Sequence, residues 1–532
     1  MAFTNTVTGT VSSELISSGV QNVYSGGIAV SCAIINGGWQ YLFVGGVASY
    51  TEVDSSGRQI VSSGGTAFYT LINYNGAQLV EGAASGAIIT SGGYQGVGGT
   101  ADSVTISSGG MQFIQSGGTA NSTAIVSGGS QFINSAGSAI NTNISGGNQI
   151  IASGGIAALT ALSDSGQQNI YAGGTAGSTL ISSGGAQHVS GTANSTIVYS
   201  GGMQLVESGG TANATIISSG GNQGVISRGT ASSSMIDFCG NQVVSSGGTA
   251  NFTAISSGGA QNIQSNGIAN ATIISAGGTQ TVSAGGAANN TYNYGRQDIL
   301  AGGVASNVVV NSGGGMYVSS GGGFGGALTI NGGGHVTVDH PGNFEPVVVN
   351  IKLANAQAND AIMTILANVT DINGTTMTLD VSNTATGLYI LSYGTNLTGM
   401  NGTTFTVNNG GQSVNVKVGS SYTFADGDKL SLGFTDGITD KVTAAFTVKG
   451  EVLDLTAPTV PTGLQATLTG NTLGLTWNDS TDAGGIKQYE LWGDEYADFS
   501  SPPDNGYHKI VSETKDAIPN MEAGVYYMKV RA

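Results

Sequence analysis

The stretch QLVESGGTANATIISSGG, Gln204 to Gly221, is followed one residue later by Gln223 and a close copy of itself. Working outward from it, glutamines recur at Gln21, Gln40, Gln59, Gln78, Gln95, Gln112, Gln131, Gln149, Gln168, Gln187, Gln204, Gln223, Gln242, Gln261, Gln280 and Gln297, spaced by 19 with occasional 17s and one 18. Met316 and His335 continue the phase with the Gln replaced, so about eighteen copies fill residues 1–340. Each unit holds two short alternating segments, such as Gln204 to Ser208 and Asn213 to Ser219, separated by Gly-Gly pairs. That is strand periodicity with turn punctuation. A unit of this size cannot bury its own apolar positions, but it is the right length for one coil of a parallel β-solenoid, in which each coil covers the next.

Three columns of the repeat are expected to form the core. Two positions after the Gln stand Val23, Val61, Val80, Ile114, Ile133, Val189, Val206 and Val282; thirteen after it, Ile34, Ile72, Ile125, Ile217, Ile255 and Ile274. Eight after it, Ala67, Ala120, Ala212, Ala250 and Ala269 leave room only for a narrow interior. The model requires Gln204, Gln223 and Gln242 to stack in register, with Val206, Val225 and Val244 beside them. At ~4.8 Å per coil, eighteen coils make a rod on the order of 85 Å long.

The composition agrees. All 7 prolines lie at or beyond Pro341, as expected where nearly every backbone N–H is needed for a bond between coils. Before that point there is no Lys, and Arg58, Arg228 and Arg296 are the only arginines. A stacked column of like charges would repel by about 0.9 kcal/mol per step even in water. Neutral Asn and Thr columns, such as Asn251, Asn270 and Asn289 or Thr253, Thr272 and Thr291, avoid that and can exchange side-chain hydrogen bonds. Charged residues make up 8% of the 532, against roughly 25% in ordinary soluble domains. The net charge of −17 has the wrong sign for nucleic acid or an anionic membrane surface. No stretch approaches the ~18 apolar residues of a membrane helix, so no membrane insertion of this segment is expected. The first thirty residues show no basic segment leading into an apolar one, so no Sec-type signal peptide is visible in them, and export is expected to be directed from a part of the polypeptide outside this sequence.

After His340 the period stops. Segments Thr375 to Val381, Gly387 to Ser392, Thr404 to Val407, Val414 to Val418 and Val442 to Val448 alternate between Asn-Gly and Asp-Gly turns, and residues 341–455 are expected to be an antiparallel β domain capping the open end of the solenoid. In residues 456–532 the proline-led entry, Trp477, Tyr489 and the alternation Tyr526, Met528, Val530, Ala532 resemble a fibronectin type III module. That module's last strand should follow Ala532, which implies that the natural polypeptide continues.

The repeat itself, Ser-Gly-Gly-Thr-Ala-x-x-Thr-x-Ile-x-Ser-Gly-Gly-x-Gln-x-Val, seen at Ser116 to Val126 and Ser246 to Ile263, resembles that of AIDA-type self-associating bacterial adhesins, which are autotransporter passengers. The resemblance implies an all-β, surface-exposed or secreted protein mediating cell adhesion, autoaggregation or biofilm formation, in some cases with heptose on Ser or Thr. The expected partners are second copies of the chain, with host or neighbouring cell surfaces or glycans as further candidates.

Candidate chemistry on the rod is sparse. A carbohydrate-binding or polysaccharide-cleaving β-helix is the alternative, and hydrolysis needs two carboxylates ~5–9.5 Å apart. Glu52 and Asp54 stand close together with Arg58 beyond a Gly turn; Glu81 and Glu207 share an offset seven coils apart. Of the histidines His188, His335, His340 and His508, only His335 and His340, with Asp339, stand near another candidate ligand. Cys32 and Cys239 lie about 50 Å apart along the rod, far beyond the ~7 Å Cα limit for a disulfide, and are read as small hydrophobes in repeat positions. Asn121-Ser122-Thr123 and Asn213-Ala214-Thr215 match a glycosylation sequon, but the repeat generates them. No catalytic, cofactor-binding or metal site is expected, nor any cofactor. Instead, lateral contacts between neutral Asn, Gln, Ser and Thr columns are expected to join rods, and the outward positions Leu205, Gly224, Val243 and Asn262 should tolerate Lys while blocking that contact.

Overall fold

The computed structural model describes residues 4–107, 109–339, 344–368, 375–434, 440–453, 459–469, 472–481, 489–494, 507–511, 513–518 and 527–531. It is all-β, a right-length coil repeated about eighteen times as a parallel solenoid. The coil from Met203 shows how the repeat folds. Met203–Val206 forms one strand, a Gly-Gly turn follows, and Thr211–Asn213 and Ile216–Ile217 form two more before the next turn. Every Gln strand pairs in parallel with the next: Gln204 faces Gln223 and Gln223 faces Gln242, with Val206, Val225 and Val244 in the adjacent register. These strands build one wall of the rod, the glutamine sheet, and the paired short strands build the other.

The turn glycines are required by geometry at both places in the pair. Gly209 has φ +81°, and a Cβ on Gly210 would lie 2.0 Å from the Val189 carbonyl oxygen of the coil below. The expected second segment is not one strand. Ala214 adopts φ +54° and bends the chain between its halves, and every neighbouring coil repeats that left-handed residue. The bend resolves a parity problem: side chains alternate along a strand, so Ala212 and Ile217, five residues apart, cannot both face inward on a straight one. With the bend, Ala212, Thr215 and Ile217 are all buried.

The three apolar columns are buried as expected, but they share the interior with two polar ones. All sixteen repeat glutamines and most of the threonines eleven positions later are buried at 0–1% exposure. The Gln and Thr columns therefore line the bore and are not available on the surface. Each Gln Nε2 donates to the Oε1 of the preceding Gln, at 2.6–2.7 Å, in an unbroken run from Gln297 to Gln21. Threonines bridge the steps: Thr179 Oγ1 donates to Gln168 Oε1 at 3.3 Å and accepts from Gln187 Nε2 at 3.1 Å. Both amide protons of a Gln and both lone pairs of its oxygen are thus used, which is what lets an amide sit in an apolar bore.

Parallel pairing does not stop at residue 340. Val336 pairs with Met363 and Thr364 with Tyr393, offsets of 27 and 29, while Val349 pairs with Met377 and Met377 with Phe405, offsets of 28. The expected antiparallel domain therefore begins as longer coils of the same solenoid. Strand alternation is alike in both pairings, and two copies of a longer period leave no spacing signal. Antiparallel pairing comes later: Thr404–Asn409 with Gln412–Lys417, and Lys441–Thr447 with both Gly387–Asn396 and Lys429–Phe434. Larger side chains fill the widened interior, with Met316 in the Gln column and Phe324, Leu379, Phe405 and Phe446 in one cluster continuous with Ile263. Further on, two three-stranded antiparallel sheets enclose Leu475, Trp477, Tyr489, Leu491 and Val530. The Trp477 and Tyr489 rings meet edge to face at 5.5 Å.

Replacing one rung of the ladder should be costly and local. Gln187→Leu takes one donor each from Gln168 Oε1 and Thr179 Oγ1 and leaves a Gln204 amide proton and the Thr196 hydroxyl proton without their acceptor, at about 2–4 kcal/mol in total. Amide exchange in the coils from Gln168 to Val206 should accelerate roughly 30- to 1,000-fold while coils eight or more steps away keep their protection.

Candidate functional site

The structure separates most of the residues singled out as candidate chemistry. Glu52 is on the outer side of a short strand in register with Ala33 and Leu71, and Asp54 accepts a 2.9 Å bond from Ser55 Oγ in the following turn. Arg58 lies past that turn on the glutamine sheet, with its guanidinium carbon 5.1 Å from the Trp39 ring centroid. It serves the aromatic ring and not the two carboxylates. Glu81 lies against Gly98 of the next coil, whereas Glu207 faces His188 Nδ1 at 3.6 Å. His335 Nδ1 donates to the Ala361 carbonyl oxygen at 3.1 Å, and its Nε2 is 3.5 Å from Asp360. Asp339 instead accepts from the Ser320 backbone N–H at 3.3 Å. His340 lies outside the described residues, and His508 is on the strand Tyr507–Val511. Among the described residues, no three His, Cys, Asp or Glu side chains are gathered to hold a metal ion, and no helix is long and apolar enough to cross a membrane.

What the rod does present is a set of long outer faces. On the second sheet, Asn289 Nδ2 donates to Asn270 Oδ1 and Asn270 to Asn251, each at 3.0 Å, continuing through Ser306 at 2.8 Å. Asn213 donates likewise to Asn194 at 2.9 Å, and Asn121 to Asp102 at 2.8 Å. The sequon asparagines are therefore members of surface ladders, and Thr123 and Thr215 of the same triplets are buried. On the glutamine sheet, Leu205, Gly224, Val243 and Asn262 stack in one outward column.

A family model described as "Adhesin of bacterial autotransporter system, probable stalk" matches residues 206–259. The solved structure of the TibC-catalysed, hyper-glycosylated TibA55-350 fragment is 41% identical over 48% of this chain and 97% of that chain, with a TM-score of 0.47. The chain belongs to the AIDA-type adhesins. No curated protein matches it. The assignment rests on the sequence of the repeats, and it makes this chain an adhesin passenger segment, with the extracellular or cell-surface location that such a segment implies.

The two thiols of this AIDA-type chain differ from the expectation for one of them. Cys32 is buried in the Thr column, 3.9 Å from Gln21 Nε2, and burial pushes its thiol up from the usual range. Cys239 is exposed, in a turn at φ +58°, so it is not a core hydrophobe. The turn phase, sixteen residues after Gln223, was the available signal. A maleimide should modify one thiol per native chain, removed by Cys239→Ser, and two after denaturation. Native labelling of Cys32 at a comparable rate would contradict the closed bore.

Proposed function

We propose that this AIDA-type chain is a surface-displayed or secreted stalk that mediates cell adhesion, autoaggregation or biofilm formation through lateral contacts between solenoids, without enzymatic activity. The supporting observation is the unbroken ladder from Gln21 to Gln297, which holds successive coils in one register so that the outer positions repeat from coil to coil. Many equivalent weak contacts along two such rods add up through avidity. Their nature differs from the polar exchange expected earlier. The Gln and Thr columns are interior, and the surface asparagines already bond to one another, so apolar outward positions remain the available adhesive groups.

In this reading the segments 1–340, 341–455 and 456–532 act as solenoid, cap and fibronectin type III-like module. The continuous core from Ile263 to Phe446 supports a cap fused to the rod, and the two small sheets around Trp477 support the last assignment. Glycosylation, which the TibA fragment carries, is proposed here at the exposed bend serines Ser103, Ser122, Ser178, Ser195 and Ser233. The rival reading, a carbohydrate-cleaving β-helix, needs paired carboxylates, and Arg58 is turned away from Glu52 and Asp54 to the other sheet.

Cells displaying the chain provide the test. Deleting Gln204 to Asn241 removes two coils in phase and joins Met203 to Gln242, so the ladder closes. Settling of the cells should weaken in proportion to the coils removed and change little with moderate salt. Unchanged settling after coil removal, with complete loss on deleting residues 457–532, would move the adhesive function to the terminal module.

A further inference from the structure

The outer face of the glutamine sheet is uneven along the rod. The residue after each ladder Gln points outward, as the alternating burial of Trp39–Leu42, Ala77–Val80 and Met111–Ile114 shows. From the third coil this column holds Tyr41, Ile60, Leu79, Phe113, Phe132 and Ile150 in direct register, with Gly96 between Leu79 and Phe113. The Gly96 gap is filled by neighbours, since a Cβ there would meet Leu79 Cδ2 at 3.0 Å and Tyr94 Oη at 3.1 Å. Beyond Ile150 the same column turns to Asn169 and His188 before Leu205. The solvent side of a sheet is ordinarily polar, so six half-buried apolar residues stacked over seven successive coils form a stripe that a partner would cover.

The face is also pre-ordered. Phe113 and Phe132 stack at 4.4 Å with planes 7° apart, Tyr94 lies 5.2 Å from Phe113, and Trp39 lies 5.8 Å from Tyr41. Rings held in place by their neighbours lose little freedom on docking. The column before the Gln adds one charge in these coils, Arg58, whose guanidinium already lies over Trp39, and no acid.

We propose that this face, from Trp39 to Ile150, is the contact face for a second copy of the same chain. The inference rests on the lateral reading given under Proposed function and specifies its surface. Seven coils at ~4.8 Å by about 15 Å of strand width give on the order of 500 Å² per rod, or about 1,000 Å² for a pair, the lower bound of a specific interface. A surface ridged once per coil is matched by another with the same spacing. A twofold axis lying in the plane of the contact, perpendicular to the rods and level with Tyr94 in the middle coil, lays one face on the other with the rods antiparallel and closes the contact. The chain carries a net charge of −17, yet the acid on this side of these coils is Glu81 alone, two residues past Leu79, so two copies approach there with little repulsion.

The test compares two sets of lysines on the full chain. One variant carries Ile60→Lys, Leu79→Lys, Phe113→Lys and Phe132→Lys; the control carries Leu205→Lys, Gly224→Lys, Val243→Lys and Asn262→Lys on the same sheet farther along. Sedimentation velocity of purified chains and settling of displaying cells should show at least tenfold weaker self-association for the first set and less than twofold for the control. Loss with the control set alone would overturn the assigned face while leaving lateral association standing. If neither set changes association and deleting residues 457–532 abolishes it, the lateral reading fails as well. If the first set spares self-association but removes binding to purified glycans, the face has a sugar as its occupant and the proposal falls. Should the four-lysine variant not fold, Tyr94→Cys in a Cys239→Ser background decides the matter. Mild oxidation should link two chains through residue 94, and absence of that link at associating concentrations would overturn the twofold contact.

Discussion

A buried glutamine amide in this solenoid has four hydrogen-bonding valences, and Gln168 and Gln187 fill all of theirs, two with neighbouring glutamines and two with threonines. Everything else in the rod is arranged around that satisfaction. An unpaired amide in an apolar bore costs more than a paired one gains, so a coil cannot slip or be skipped without leaving several polar atoms stranded. Apolar columns alone would tolerate such errors, because one Val or Ile stacks about as well on another. The amide ladder is what makes the register unique, and backbone pairing between coils then follows without shifts from Thr4 to Val338 in the glutamine sheet.

The ladder also has a direction. All its N–H groups point toward the N-terminal coils and its carbonyl oxygens toward the C-terminal ones, so the two ends make opposite demands. At the first, Glu14 accepts from Gln21 Nε2 at 2.5 Å and from Asn5 Nδ2 at 2.7 and 2.8 Å, a carboxylate placed where only donors are exposed. At the other, Gln297 Oε1 is buried with no donor, and the next coil puts Met316 in the column. From there the interior turns apolar and wider, and the coils lengthen to enclose Phe324, Phe405 and Phe446. The change of architecture thus begins where the polar network ends.

A polar interior has a consequence for the outside. With Gln and Thr committed to the bore, the outward positions of the coil are free of structural duty beyond packing along their own columns. They vary from Tyr41 and Phe113 to Asn169 and Thr281 without disturbing the repeat. An adhesin stalk built this way can change its surface coil by coil while its interior ladder stays the same.

The sequence by itself determined the solenoid, its phase and its three apolar columns, because a repeat at fixed spacing can bury its hydrophobic face only against its own copies. It also contained the bend: Ala212 and Ile217 cannot both face inward along one straight strand, which is a contradiction visible in the spacing alone. Other features needed the tertiary structure. Whether an invariant Gln stands inside or outside depends on whether its partners meet it at bonding distance, and those partners are eight and eleven residues away on the opposite wall. Arg58 was placed beside Glu52 and Asp54 by sequence distance, whereas the Gly turn carries it to the other sheet and onto Trp39. The coils beyond Val338 alternate like any strand, and only pairing across offsets of 27 to 29 residues shows them to be parallel. In each case the deciding fact is which residues the coil brings together across its bore, and that distance is not written along the chain.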